Sequence, residues 1–154
     1  MGTNESVLKR NIFRWKEYYV KKLVIAGILS TIMAVSCLGA EAYTDADLDI
    51  LSHVICGEAE GCSRDMKLSV GSVVLNRVKD ERFPETIEEV VFQEGQYSCT
   101  WDGNYYRQPS QDTIDIAKYL LNNGSVLESK VVWQAEFEQG EGVFKQIDNM
   151  YFCY

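Results

Sequence analysis

The chain has one histidine, two prolines and eleven glycines among 154 residues, and each scarcity removes a class of protein. A lone histidine, His53, cannot furnish the pair of histidines that a zinc amidase is expected to use with a carboxylate. Proline and glycine are too sparse for a collagen-like or low-complexity chain, and 46% hydrophobic with 25% charged residues describes one globular domain. At this length folding buries roughly 70% of the surface of the unfolded chain, so a core forms without metal or a dense disulfide scaffold. Positive charge is scarce after the first 22 residues: residues 43–154 hold nine basic against twenty acidic side chains, a net of −11. A nucleic-acid binder would carry the opposite sign, and no nucleic-acid partner is expected. No apolar run reaches the roughly 20 residues that span a bilayer core. C-x2–4-C pairs of the kind that hold structural zinc are also missing, and neither metal nor cofactor is expected.

What is present begins with a basic head. Lys9, Arg10, Arg14, Lys16, Lys21 and Lys22 stand against only Glu5 and Glu17 within residues 1–22, a net of +4. An apolar stretch of sixteen residues follows, Leu23 to Leu38, and then Gly39-Ala40-Glu41-Ala42. Basic region, apolar region and small residues at −3 and −1 of a cut are the order of a secretory signal. Residues 1–42 therefore read as an export leader cleaved before Tyr43, the protein as secreted to the cell wall, and the membrane as met only through that leader. A lipid-modified Cys37 is the competing end of the same segment. Removal of the leader leaves Cys56, Cys62, Cys99 and Cys153. An even number outside the cytoplasm predicts disulfides; three pairings are possible, with Cys56–Cys62 and Cys99–Cys153 favoured.

The remaining 112 residues predict helices first and strands last. Thr44-Asp45-Ala46-Asp47 resembles a capping box, and Leu48, Leu51 and Ile55 then recur at helical spacing, giving a helix over Asp45 to Ala59. Ser63 caps a second helix, whose stripe is Met66, Val70, Val73, Val74 and Val78 and which stops near Asp80. Thr86-Ile87-Glu88-Glu89 opens a short helix through Val91. A fourth follows Pro109-Ser110, buries Ile114, Ala117 and Leu121, and closes at Asn122-Asn123-Gly124. Val131-Val132-Trp133, Val143-Phe144 and Met150-Phe152 are strand-like, with Gly140-Glu141-Gly142 as a turn. Helices gathered before strands indicate an α+β domain with a small C-terminal antiparallel sheet.

One acid stands out of place. The apolar stripe Leu48, Leu51, Ile55 continues at the next step of three to Glu58, so that this carboxylate leaves the helix on its core face. An enclosed carboxyl there holds its proton more firmly than one in water, which suits a general acid; the ordinary alternative is a helix-end ion pair with Arg77 or Arg82. Glu60, two residues on, projects from nearly the opposite face and does not share that site.

Around Glu58 the residues converge on a family. Cys56-Gly57-Glu58-Ala59-Glu60-Gly61, Val73-Val74-Leu75-Asn76-Arg77-Val78, Arg82-Phe83-Pro84-Glu85-Thr86 and Gly95-Gln96-Tyr97-Ser98 resemble, in order and spacing, the bacterial cell-wall hydrolases related to the spore cortex-lytic enzyme SleB. The resemblance covers residues 48–154. It implies a small lysozyme-like α+β fold, Glu58 as the catalytic acid, and cleavage of the bond between N-acetylmuramic acid and N-acetylglucosamine in peptidoglycan glycan strands. Glu60 departs from it, standing where an arginine is frequent. Glycosidases with two carboxylates need a second acid about 5–5.5 Å away for retention or roughly 6.5–9.5 Å for inversion. A lytic transglycosylase needs one, because the muramic C6 hydroxyl attacks C1 and leaves a 1,6-anhydro product. The resemblance favours that route, with Asp65 and Asp102 as the acids a hydrolytic muramidase would recruit.

Substrate contacts are expected from Gln96, Tyr97 and Ser98 and from the loop that follows, Trp101-Asp102-Gly103-Asn104-Tyr105-Tyr106. Rings stack on the C–H faces of sugars, and amides or carboxylates chelate hydroxyl pairs; Tyr97 and Trp101 serve equally well as core-filling rings. Gln96 is a candidate neighbour of Glu58, whereas Asn76, set among valine and leucine, needs buried partners. Two rival functions remain: a Cys–His peptidase using His53 with Cys56 or Cys62, and a secreted peptidoglycan-binding protein without activity. A monomer is expected.

Overall fold

The computed structural model describes residues 43–154. The predicted leader, residues 1–42, lies outside the described residues, as does Cys37.

Local chemistry sets the helix starts. Thr44 accepts the Asp47 N–H at 3.1 Å through its hydroxyl, and the Asp47 carboxylate takes the Thr44 N–H at 2.9 Å, a full capping box that opens α1, Asp45–Ala59. Ser63 accepts from the Met66 N–H and starts α2, Arg64–Lys79. Thr86 does the same for α3, Ile87–Val91, and Ser110 for α5, Gln111–Asn123. Each cap satisfies a donor that the first turn leaves orphaned. Between α3 and α5 the chain forms a short helix α4, Cys99–Asp102, and a 3-10 turn, Asn104–Tyr106. The expectation of a plain loop over Trp101 to Tyr106 is thereby corrected. Four-residue helical pieces are too short to show an apolar period.

Helix α2 is the most enclosed helix among the described residues, packed by α1, α3, α5 and the first strand. Except for Leu68 at partial burial, every residue from Met66 to Arg77 is buried, so the predicted single stripe understates what the helix hides. Gly71 makes this possible. A Cβ there would meet Leu120 Cδ1 at 2.5 Å and Ile55 Cδ1 at 2.8 Å, so glycine lets α1 and α5 close on α2 together. On α5 the buried residues are Thr113, Ile116, Ala117 and Leu120, while Ile114 and Leu121 are only half-buried. The helix is thus rotated from the predicted face, because the Thr113 hydroxyl is turned inward to donate to Glu60 at 2.7 Å.

The sheet has three antiparallel strands in the order β1-β3-β2: β1 Trp133–Ala135, β2 Val143–Ile147 and β3 Met150–Cys153. Trp133 and Val143 both pair with Cys153, Ile147 pairs with Met150, and a bulge interrupts β2 between Val143 and Lys145. Val131 and Val132 precede the strand instead of belonging to it. Their carbonyls serve α2: Asn76 Nδ2 donates to Glu128 O at 2.8 Å and Val131 O at 2.9 Å, and Arg77 Nε donates to Val132 O at 2.7 Å. These bonds fasten the sheet to the helices and make Asn76 a structural residue. The architecture is α+β, helices before a small antiparallel sheet, as expected. Among the described residues no helix is long and apolar enough to cross a membrane.

The predicted disulfides are not formed: Cys56, Cys62, Cys99 and Cys153 are free thiols. Cys56 is buried within α1 and directs its sulfur to the Arg107 carbonyl at 3.8 Å, whereas Cys62 is exposed in the turn beyond the helix. Cys99 packs on α1 and Cys153 sits in the sheet opposite Trp133, so the members of each expected pair are committed to different surroundings. Even number and secretion context constrain pairing only when the thiols also meet in space.

Candidate active site

Glu58 leaves the last turn of α1, next to Gly57. That glycine is a second point of close approach: a Cβ on it would meet Cys99 Cβ at 2.5 Å and Cys99 Sγ at 2.9 Å. With no side chain in the way, the start of α4 settles on α1 and the Cys99 backbone N–H donates to Glu58 Oε1 at 3.2 Å. Glu58 is half-buried, and among the described residues it makes no ion pair. Both cations of the ordinary alternative are engaged elsewhere. Arg82 forks onto Asp80, Nε to Oδ1 at 2.8 Å and Nη2 to Oδ2 at 2.7 Å, and this fork is what holds the Asp80 carboxyl down at about 2. Arg77 is buried with its guanidinium among the rings of Phe83, Tyr97 and Trp133, 5.1 to 5.7 Å from their centroids. Burial, and next to it the charges of Glu58 and Asp102, push the Cys99 thiol far up from its ordinary value, so the sulfur beside Glu58 stays a neutral S–H.

Glu60 occupies the other face of the same turn, as its spacing predicts. It accepts from the Thr113 hydroxyl at 2.7 Å and the Ser110 N–H at 3.3 Å, and Lys67 Nζ lies 3.9 Å away. Burial alone would raise its pKa, but these donors, the Cys56 thiol and the Lys67 charge outweigh it and bring the carboxyl from 4.5 down to about 2. Lys67 is itself buried and also reaches Asp112 at 3.2 Å. The arginine-to-glutamate departure at this position therefore anchors α1 to α5 through an acid locked in its charged form.

The other predicted contacts divide by exposure. Tyr97 is 1% exposed and belongs to the core; burial pushes its phenol up to about 12. Trp101 is 61% exposed on α4, the helix whose first N–H holds Glu58. Gln96 is half-buried and Ser98 is exposed in the turn leading to α4. Asp102 is exposed, with its carboxylate taking both the Asn104 N–H at 2.8 Å and the Asn104 amide at 2.9 Å. Asp65 is bound to Lys145 of the sheet at 2.6 Å. Tyr106 (78% exposed) and Phe92 (47%) extend the aromatic surface around buried Tyr105. Phe92 and the Gly57–Cys99 contact were not anticipated. A glycine inside an otherwise regular helix was the only sequence signal for the latter.

The peptidase pair does not assemble. His53 Nδ1 lies 2.6 Å from the Tyr105 carbonyl and Nε2 faces Asp49 at 3.7 Å. Burial, then Glu60, raises the Cys56 thiol, opposite to what a thiolate nucleophile requires. Among the described residues no group of three or more His, Cys, Asp or Glu side chains is gathered to hold a metal ion.

Comparison with known proteins agrees with this architecture. The spore cortex-lytic enzyme of Oceanobacillus iheyensis is 27% identical over 82 residues, 53% of this chain and 30% of that protein. The spore cortex-lytic enzyme of Bacillus subtilis is 28% identical over 80 residues, 52% and 26% of the two chains, and the cell wall hydrolase CwlJ of the same organism is 26% identical over 83 residues, 51% and 58%. The chain therefore spans less than two thirds of the length of each of these curated relatives. The crystal structure of the catalytic domain of the Bacillus cereus SleB protein superposes with a TM-score of 0.64 at 21% identity, covering 73% of this chain and 92% of that one. The catalytic domain of the germination-specific lytic transglycosylase SleB from Bacillus anthracis gives 0.63, also at 21% identity, over 73% and 97%. The sequence model of the Cell Wall Hydrolase family matches residues 61–153, beginning just after the turn that carries Glu58. Since that match takes in more than half of the chain, the protein belongs to the Cell Wall Hydrolase family.

Proposed function

We propose that the chain cleaves peptidoglycan glycan strands as a lytic transglycosylase, outside the cytoplasm, after removal of a leader before Tyr43. The observation that carries this reading is the state of Glu58: half-buried, held by one backbone N–H, and without a neutralising cation among the described residues. A carboxyl so placed protonates the glycosidic oxygen between N-acetylmuramic acid and N-acetylglucosamine as the bond to C1 breaks, and the N-acetylglucosamine departs as an alcohol. The resulting Glu58 carboxylate then takes the proton of the muramic C6 hydroxyl as that oxygen attacks C1, closing the 1,6-anhydro ring. One residue serves as acid and then as base.

The one-carboxylate route is supported by what the other acids are doing. Asp65 is tied to Lys145, and Asp102 is closed on Asn104. Neither is left free to activate a water. Trp101 and Tyr106 offer exposed rings to the sugar faces, with Gln96 and Ser98 near the same short helix for its hydroxyls, whereas Tyr97 supports this surface from the core. The relatives named for cortex lysis and cell-wall hydrolysis point to the same substrate class. The protein acts as a monomer on this reading.

The test is mass spectrometry of muropeptides released from purified cell walls. Products ending in 1,6-anhydro-muramic acid, about 18 Da lighter than hydrolysis products, are expected because an internal hydroxyl replaces water as the attacking group. Reducing-end products alone would replace the transglycosylase by a muramidase, and wall binding without release would replace the enzyme by a binding protein.

A further inference from the structure

The sheet carries an open groove of about 570 Å³ that the site around Glu58 does not use, lined by Arg82, Lys130, Trp133, Gln139, Glu141 and Tyr154. Its volume lies within the roughly 300–1,000 Å³ of small-ligand sites. Its walls are held in place. Trp133 meets Phe83 edge-on at 5.4 Å and takes the Arg77 guanidinium over its ring at 5.7 Å. Lys130 Nζ stands 3.8 Å from the centroid of the Tyr154 ring. The Tyr154 carbonyl accepts the Glu141 N–H at 2.6 Å, and its own N–H donates to Gly142 O at 3.0 Å.

Charge decides between the two chemical parts of peptidoglycan. Both cations of the groove already have partners, Arg82 on Asp80 and Lys130 on Glu128 at 3.4 Å. Glu141 lines the groove as well, and the guanidinium of Arg77, the remaining cation nearby, is buried over the Trp133 ring. An acidic stem peptide therefore finds no unpaired cation on the lining and a carboxylate, Glu141, that repels it. A neutral ligand rich in hydroxyls meets what is left over: the Gln139 amide, the Glu141 carboxylate, the Arg82 N–H groups that Asp80 does not take, and an indole for a C–H face. We infer that this groove binds an uncharged sugar ring of a glycan strand, a second glycan-holding surface built by the sheet and separate from the Trp101 helix. The inference rests on the glycan-cleaving reading for the identity of the polymer, and on the groove alone for the class of ligand.

The experiment titrates the chain carrying Glu58→Gln with two probes, a tetrasaccharide of N-acetylglucosamine and a synthetic acidic stem peptide, followed by amide and indole NMR shifts. The tetrasaccharide is expected to shift the Trp133 indole and the amides of residues 139–142. Gln139→Ala and Glu141→Ala, each added to that background, should weaken its binding about fivefold, the loss of one net hydrogen bond, with the thermal midpoint unchanged. Shifts confined to residues 96–106, or binding of the stem peptide without the sugar, would overturn the inference. The two readings fail separately. If the protein with Glu58 intact releases muropeptides while the groove variants bind sugar undiminished, the groove assignment falls and the enzyme stands. If nothing is released by any form yet the groove variants lose the tetrasaccharide, the enzyme falls and the groove stands.

Discussion

Glu58 and Glu60 leave α1 within one turn, yet the regions they face are built in opposite ways. On the Glu60 side, α2 and α5 supply a hydroxyl, a backbone N–H and a buried lysine, and the acid is fixed in its charged form at about 2. On the Glu58 side, the small helix α4 supplies one backbone N–H, and the neighbouring sulfur is kept as a neutral thiol. An acid surrounded by donors anchors a structure, because each donor deepens its preference for the carboxylate. An acid given one donor and an opening to solvent lacks that anchorage, and the proposed catalytic role rests on this difference.

The comparison breaks most visibly by neutralising each acid in turn. Glu58→Gln should keep the thermal midpoint and cut muropeptide release by at least 10²–10⁴-fold, the usual weight of a general acid, since on the proposed route one carboxyl serves both proton transfers. Near-normal release by a folded Glu58→Gln protein would remove the assignment. Glu60→Ala should do the reverse. It strips the 5%-exposed Lys67 of one of its two acids and costs about 3 kcal/mol of stability in denaturant unfolding, while the activity of the folded fraction persists. A stability change within about 0.5 kcal/mol would mean that the locked network is ornamental.

The contact between the two regions can also be sharpened. Gly57→Ala sets a methyl 2.5 Å from Cys99 Cβ, and overpacking of this kind costs roughly 1–3 kcal/mol. Since the same shift moves the Cys99 N–H away from Glu58, kcat measured well below the unfolding temperature should fall too; a stable variant of unchanged kcat would show that the backbone donor does not orient the acid.

Acid titration separates the faces by pH. The folded pKa of Glu60 lies below its ordinary 4.5, at about 2, so its stabilising contribution is complete above about pH 4.5 and is lost as the pH falls toward 2. Glu60→Gln should flatten the stability profile in that window, and an unaltered acid limb would contradict the lock. The smallest effect is on the thiols. Of the four cysteines among the described residues Cys62 alone is exposed, so alkylation of the native protein should modify one of these four quickly and the other three only on unfolding. A native protein without reactive thiol would restore the disulfides.

Much of the fold was legible because its helices announce their starts. Thr44, Ser63, Thr86 and Ser110 each cap the helix their position predicts, and a cap depends on residues only three apart in sequence. The rotation of α5 was not legible, since it follows from Thr113 reaching across 53 positions to Glu60. The exposed ring of Trp101 and the buried ring of Tyr97 read alike as sequence; four residues apart, they ended on opposite sides of the surface. Cysteine parity misled for the same reason, as it counts thiols without locating them.

Sequence by itself determined the order and ends of the main helices, the placing of strands after helices, and the singular position of Glu58 at the end of an apolar stripe. These are consequences of hydrogen-bonding and period within a few residues. Only the tertiary structure decided which acid is locked and which is held by a single backbone donor, which rings face solvent, and that α2 is enclosed on nearly all sides. Burial and partnership are properties of residues far apart in the chain, and they exist only once α4 has closed on Gly57 and α5 on Gly71.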